Sequence, residues 1–199
     1  MRREMLGLIL CGGKSGRMGQ DKGELKLRGE RTQLEYSIGM LQKLCSRVVV
    51  SVGPKGSSRR ELPEGVEIVE DVAGVEGPMG GVLAGLRVAS ALPVMVIAVD
   101  MPYLEISHLV QLANRRDEEK QATAFVAEDG FADPMCAIYE PACLPLIEER
   151  ASLGRFGLRR LLEAADLERI ALDRPFWLAS VNDPDALRKA RDELSGQAD

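Results

Sequence analysis

The chain has 199 residues, 45% hydrophobic and 29% charged, which suits one globular domain with its own core. A net charge of −5 argues against broad nucleic-acid binding, which draws on clustered positive charge. No apolar run reaches the ~18 residues of a membrane span, and the N-terminal run Leu6–Leu10 is too short for a secretion signal, so a cytoplasmic protein without membrane contact is expected.

Leu6–Leu10, Arg47–Val52, Val66–Val69 and Val94–Val99 are short, largely β-branched and nearly continuous apolar runs. Strands buried on both faces of a parallel sheet have this composition. Between the first two, Leu34, Ile38, Leu41 and Cys45 fall at helical spacing, and Thr32 with Glu35 forms a capping box. A second helix follows "GPMGG", with Val82, Leu86 and Ala89 on one face. A third starts near Glu105 and uses Ile106, Leu109 and Ala113. Strands alternating with helices imply parallel pairing through right-handed crossovers. In the second half, Ala122–Ala127 and Met135–Tyr139 read as strands, and Pro141–Glu149 and Phe156–Ala164 as helices. A last helix has Asp183 as N-cap, Pro184 as its first residue and Leu187, Ala190 and Leu194 as its apolar stripe. Cys11, Cys45, Cys136 and Cys143 show no C-x-x-C pair or zinc spacing and are expected as free thiols.

The stretch "LILCGGKSGRMGQDK" contains Gly-Lys-Ser, the close of the hydrolase phosphate loop G-x-x-x-x-G-K-[ST]. Counting back from Gly13, the first glycine of that pattern falls on Leu8, inside the strand, so the pattern fails. G-x-G-x-x-G is absent as well. The segment from Gly12 to about Arg31 nevertheless reads as an unusually long loop, and such loops are often functional. It interleaves Gly12, Gly13, Gly16 and Gly19 with Lys14, Arg17 and Lys22. Glycines let backbone N–H groups turn towards an anion, and the cations neutralise phosphate charge. Residues 1–60 hold 13 Lys/Arg against 5 Asp/Glu, and residues 61–199 hold 13 against 26, so the basic half carries this loop. The alternative is a surface loop with scattered charges.

Asp100 ends a run of six apolar residues and so stands at the C-terminal edge of a central strand, where open parallel sheets bind ligands. A carboxylate there suits Mg²⁺, although an aspartate also commonly caps a turn such as the one Pro102 makes. Asp71 ends a neighbouring strand, and Gly77, Pro78, Gly80 and Gly81 open the next helix. They let a ligand approach the backbone closely, or else serve helix entry and packing; for Gly85 packing is the preferred reading. The loop, Asp71 and Asp100 converge on one sheet edge.

"LILCGGKSGRMGQDK" also resembles the nucleotidyltransferase signature L-A-G-G-x-S-x-R-M-G-x-D-K. "GPMGGVLAGL" and "DMPY", followed by "DPMCAIYEP" and "VNDPDAL", resemble the later blocks of the molybdenum cofactor guanylyltransferase family, in order across residues 6–190. The resemblance implies an α/β fold: a three-layer α/β/α Rossmann-like sandwich with a mostly parallel central sheet, in a single domain over residues 1–199. Its N-terminal half would bind nucleotide and its C-terminal half the acceptor. The implied reaction transfers GMP from GTP to the phosphate of molybdopterin, releasing pyrophosphate, with Mg²⁺ as cofactor.

By position, the resemblance makes Leu10, Cys11, Gly12, Gly13, Lys22, Ser51, Asp71, Gly80 and Asp100 nucleotide-binding. Asp100 is also the metal ligand, and Arg17, Lys22 and Asp100 are catalytic. Cys11 stands for the usual alanine, Ser51 for an asparagine that touches the nucleotide, and Ser180 for an asparagine of some members. Asp133, Pro134, Arg155 and Asn182 are the acceptor candidates, Arg155 and Phe156 serving equally well to pack a loop. An attacking phosphate is already ionised and needs no general base, and His108, the single histidine, reads as structural. Molybdoenzymes or cofactor-handling proteins are conceivable transient partners. Two rival readings stand beside this one: a nucleotidyltransferase for another base or acceptor, such as a molybdopterin cytidylyltransferase, and a non-catalytic nucleotide-binding adaptor. "DMP" looks more like the guanylyl branch than the cytidylyl branch.

Overall fold

The structure, a computed structural model, describes residues 3–12, 21–53, 62–127, 129–172 and 175–195. Seven strands form one sheet: β1 (Arg3–Leu10), β4 (Cys45–Ser51), β5 (Val66–Val69), β6 (Val94–Ala98), β7 (Ala122–Val126), β8 (Ala132–Tyr139) and β9 (Leu167–Ala171). Their order is β5-β4-β1-β6-β8-β7-β9, and β8 alone among them runs against its neighbours. The sheet is therefore mostly parallel, as the continuous apolar runs predict. The remaining strands, β2 (Lys26–Arg28) and β3 (Arg31–Thr32), make a separate hairpin.

Successive residues of β1 feed opposite faces, because side chains alternate along a strand. Ile9 packs with Leu34, Ile38 and Leu41 of α1 (Gln33–Leu44) and with Leu109 and Leu112 of α3 (Ile106–Asn114). Leu8 packs on the other face with Val82, Leu83 and Leu86 of α2 (Pro78–Val88). The same face carries Ile147 of α4 (Leu144–Ser152) and Leu161 and Leu162 of α5 (Leu158–Ala164). Helices on both faces give three layers. Thr32 caps α1 as predicted, accepting from the Glu35 N–H at 3.2 Å while Glu35 accepts from the Thr32 N–H at 2.7 Å. Gly85 meets Leu8: a Cβ there would lie 2.6 Å from Leu8 Cδ2, so its role is close helix–sheet packing.

Three elements depart from the sequence expectation. The long loop ends early, because Lys22–Glu24 is a 3-10 turn and β2–β3 follows, reversed at Gly29 with φ +59°. β9 is an edge strand paired only to β7, and its Glu168 and Arg169 dilute the apolar signal. Pro141–Cys143 is a 3-10 turn preceding α4. α6 (Pro184–Leu194) begins at Asp183 as expected and packs Ala190 and Leu194 on Leu25 and Leu27 of the hairpin segment, a small third core with Val181. Among the described residues, no helix is long and apolar enough to cross a membrane.

Candidate active site

β5, β4, β1 and β6 point the same way, so their C-terminal ends line one edge. The chain winds outward from β1 to β4 and β5, then crosses back to β6 on the other side of β1. That reversal opens a crevice at the edge, the usual ligand position in such sheets. Asp71 follows β5 by two residues and Asp100 follows β6 by two.

At the β6 end, three predicted residues meet. Lys22 Nζ donates to Asp100 Oδ2 at 2.7 Å and to Asn182 Oδ1 at 2.6 Å. Each partner is fixed locally. Asp21 caps the 3-10 turn that carries Lys22, accepting from the Gly23 N–H at 2.9 Å. The Val181 N–H donates to the Asp100 carbonyl at 2.9 Å, which seats Asn182 beside it. Asp183 then starts α6 by accepting from the Asp185 and Ala186 N–H groups. Arg28, buried in β2 and lying over the Tyr36 ring, donates to the Pro102 carbonyl at 2.7 Å and steadies the loop after Asp100. Sequence reasoning missed Arg28 and Asp21. The alternation Lys26-Leu27-Arg28 before Gly29-Glu30 is the hairpin signal that could have found Arg28.

At the β5 end, the Ser51 hydroxyl donates to Asp71 Oδ1, and the Asp71 N–H donates to the Gly53 carbonyl at 3.3 Å. Ser51 was expected to touch nucleotide, but it is only 1% exposed and its hydroxyl is spent on Asp71, so it stands behind the edge. Leu10 is buried, and the Cys11 N–H donates to the Ser51 carbonyl at 2.9 Å. Gly12 has to be a glycine, because a Cβ would fall 2.6 Å from the Gly53 backbone nitrogen. Gly80 faces protein too: its Cβ would lie 2.9 Å from the Val75 carbonyl oxygen and 3.2 Å from Asp71 Cβ. Gly13 and Arg17, both predicted site residues, lie outside the described residues, as do Lys14, Gly16 and Gly19.

The acceptor candidates come from different elements. Asn182 joins Lys22. Asp133 and Pro134 lie in β8, antiparallel to β6, and the Asp133 carboxylate accepts from the Met135 N–H at 2.7 Å. Burial pushes the Asp133 pKa up, and the Asp100 charge adds a smaller push against the lowering by backbone N–H groups and Arg159. Arg155 is exposed between α4 and α5, and its backbone N–H donates to the Arg150 carbonyl at 2.9 Å. Arg159 lies over the Phe131 ring at 4.6 Å, and its charge acts on Asp133. His108 is structural as read: it is buried, stacks on Trp177 at 3.7 Å and accepts from the Glu105 N–H at 3.1 Å.

Two oxygens, from Asp100 and Asn182, converge on a single cationic atom. Both are hard oxygen donors of the kind a divalent cation takes, and the Lys22 ammonium lies between them. Among the described residues, no group of three His, Cys, Asp or Glu side chains could hold a metal. A cation here would complete its shell with phosphate and water oxygens, as Mg²⁺ commonly does.

A sheet of this order, with a glycine-rich first connection and a carboxylate at the reversal, defines a nucleotide-handling α/β protein. Residues 7–170 match the MobA-like NTP transferase domain, and the chain belongs to that family of nucleotidyltransferases. It is 34% identical over 199 residues to a probable molybdenum cofactor guanylyltransferase of Mycobacterium avium, with 94% of this chain and 97% of that protein covered. It is 31% identical over 185 residues to a molybdenum cofactor biosynthesis bifunctional protein of Synechocystis, covering 91% of this chain but 52% of that one, so it spans about half that relative's length. The crystal structure of molybdopterin-guanine dinucleotide biosynthesis protein A from Archaeoglobus fulgidus shares the fold, with a TM-score of 0.74 at 20% identity over 95% of this chain and 98% of that chain.

Proposed function

We propose that the protein transfers GMP from GTP to the phosphate of molybdopterin, forming the guanine dinucleotide cofactor and pyrophosphate. The observation that carries this is the Lys22 ammonium held between Asp100 and Asn182 at the sheet edge. The identity with the mycobacterial guanylyltransferase supplies the base and acceptor.

The physical task is to let one anion attack another. The acceptor phosphate oxygen approaches the α-phosphorus of GTP in line with departing pyrophosphate, and positioning with charge stabilisation dominates. Asp100 and Asn182 would hold Mg²⁺, which when bound neutralises charge on the phosphate oxygens. Lys22 then leaves Asp100 and donates to the triphosphate, where it stabilises charge building on the leaving group. Arg17 and the N–H groups of Gly12 and Gly13 are assigned the same task. Asp71 contacts the nucleoside end. Asp133, Pro134 and Arg155 remain the candidates for the pterin, whose ring is flat and polar. Within the single domain, residues of the first half take the nucleotide and those of the second half the acceptor. A cytoplasmic location and transient contact with molybdoenzymes or cofactor-handling proteins complete the reading.

Pyrophosphate release from GTP, CTP and ATP with Mg²⁺, with and without molybdopterin, tests it. Release from GTP that depends on molybdopterin is expected. A preference for CTP would overturn the base assignment, and tight GTP binding without release would favour an adaptor. Asp100→Ala should lower turnover at least ~10²-fold while the fold persists.

A further inference from the structure

We infer that Ser51 is a positioning residue for base selectivity: it acts by fixing the Asp71 carboxylate, without touching the nucleotide itself. This deepens the GTP reading above and rests on it.

Ser51 ends β4 between Leu10 of β1 and Val69 of β5 and is 1% exposed. Its hydroxyl donates to Asp71 Oδ1. Gly81 of α2 closes the other side. A Cβ on Gly81 would fall 2.5 Å from Ser51 Oγ, 2.7 Å from Leu10 Cδ2 and 3.1 Å from Asp71 Oδ1. The hydroxyl is thus wedged between a helix backbone and the carboxylate. The Asp71 backbone is tied through its N–H to Gly53, and its carboxylate is oriented by the Ser51 hydroxyl at Oδ1.

Charge and distance set which end of the ligand meets Asp71. A carboxylate repels phosphates, and Lys22 stands at the β6 end. β5 and β6 are three strand spacings apart, roughly 14 Å. A nucleotide with its phosphates near Lys22 therefore has its base end near Asp71. An ionised carboxylate only accepts hydrogen bonds. Guanine presents two adjacent donors, N1–H and the 2-amino group, and cytosine and adenine present no such pair. A fixed carboxylate reads that pair; a rotating one accepts from many partners and discriminates less.

The test uses GTP, CTP and ITP, the last of which is GTP without the 2-amino group, titrated calorimetrically into the full chain with Mg²⁺ and no acceptor. The unaltered protein should prefer GTP by about tenfold or more, the usual worth of a hydrogen bond to a charged group. Ser51→Ala should cut that preference to about threefold or less, because the acid loses its orienting donor. Asp71→Asn should do the same, and adding Ser51→Ala to Asp71→Asn should change the ratio no further, since both act through one group. Thermal melts confirm that each variant is folded. Equal weakening of both ligands by Ser51→Ala, with the ratio intact, overturns the inference, as does an unaltered protein that binds GTP and ITP alike. An unaltered protein that prefers CTP overturns the GTP reading instead.

Discussion

Lys22 and Asp100 form an ion pair 78 residues apart in sequence, Nζ to Oδ2 at 2.7 Å, with side chains 18% and 20% exposed. The ammonium thereby occupies the place between Asp100 and Asn182 that the proposed function gives to a divalent cation. Lys22→Met should free both oxygens and remove a neighbouring positive charge. The variant should bind Mn²⁺ without nucleotide at least ~10-fold more tightly than the unaltered protein, read from the free Mn²⁺ signal by electron paramagnetic resonance. It should also lose roughly 10²-fold in GMP transfer, because the triphosphate loses its cation. Unchanged Mn²⁺ binding would show that Lys22 does not guard the site.

Gly12 and Gly53 approach too closely for any side chain, and the atom in the way is backbone nitrogen, which cannot swing aside. Gly12→Ala should force the end of β1 away from the segment after β4. A stability loss of about 1–3 kcal/mol is expected from the overlap. GTP affinity should fall beyond what that loss explains, since the displaced backbone belongs to the ligand edge. Calorimetric titration beside thermal melting separates the two effects.

Glu140 is 3% exposed and receives two bonds from Arg116, at 2.6 and 2.9 Å. The pair lies at the end of β8, opposite the candidate site along the antiparallel strand. Arg116→Ala would leave the carboxylate buried without its cation. It should cost about 3 kcal/mol in denaturant unfolding while leaving the kcat of the folded enzyme nearly unchanged. A variant of full stability would mean that water replaces the guanidinium.

His108 offers a pH signature. Burial lowers its pKa, with the Glu105 charge opposing more weakly. The unfolded chain therefore binds the proton more readily. The stability contributed by the neutral ring is complete above the unfolded value of about 6.5 and is lost as pH falls through the folded value. His108→Phe keeps a ring against Trp177 without the titration. Melting temperature should fall less for this variant than for the unaltered protein between about pH 7.5 and about pH 5.

Much of the sheet was legible because β1, β4 and β6 are buried over most of their length and carry nearly continuous apolar runs, while β5, at the other edge, still showed through Val66, Ile68 and Val69. The α1 and α6 starts were legible because Thr32 and Asp183 cap them with side-chain chemistry visible in sequence. β9 was not, since one face stays exposed and Glu168 and Arg169 interrupt the pattern. The Lys22–Asp100 meeting followed from strand direction, but the arrival of Asn182 depends on α6 packing against Leu25 and Leu27, a long-range contact that no local pattern encodes. The burial of Ser51 was not legible for a similar reason. Its burial is set by Gly81 from a different element.

The Lys22–Asn182 bond spans 160 residues of sequence. On a ribosome, a nascent chain released as far as Ala171 could pair all seven strands and close Lys22 on Asp100, yet it would lack the amide oxygen. That oxygen arrives only when the last helix emerges and docks on the hairpin next to Lys22. Asn182 is thus the last of these three residues to be made, and a product truncated at Ala171 would lack one of the two oxygens that hold the Lys22 ammonium.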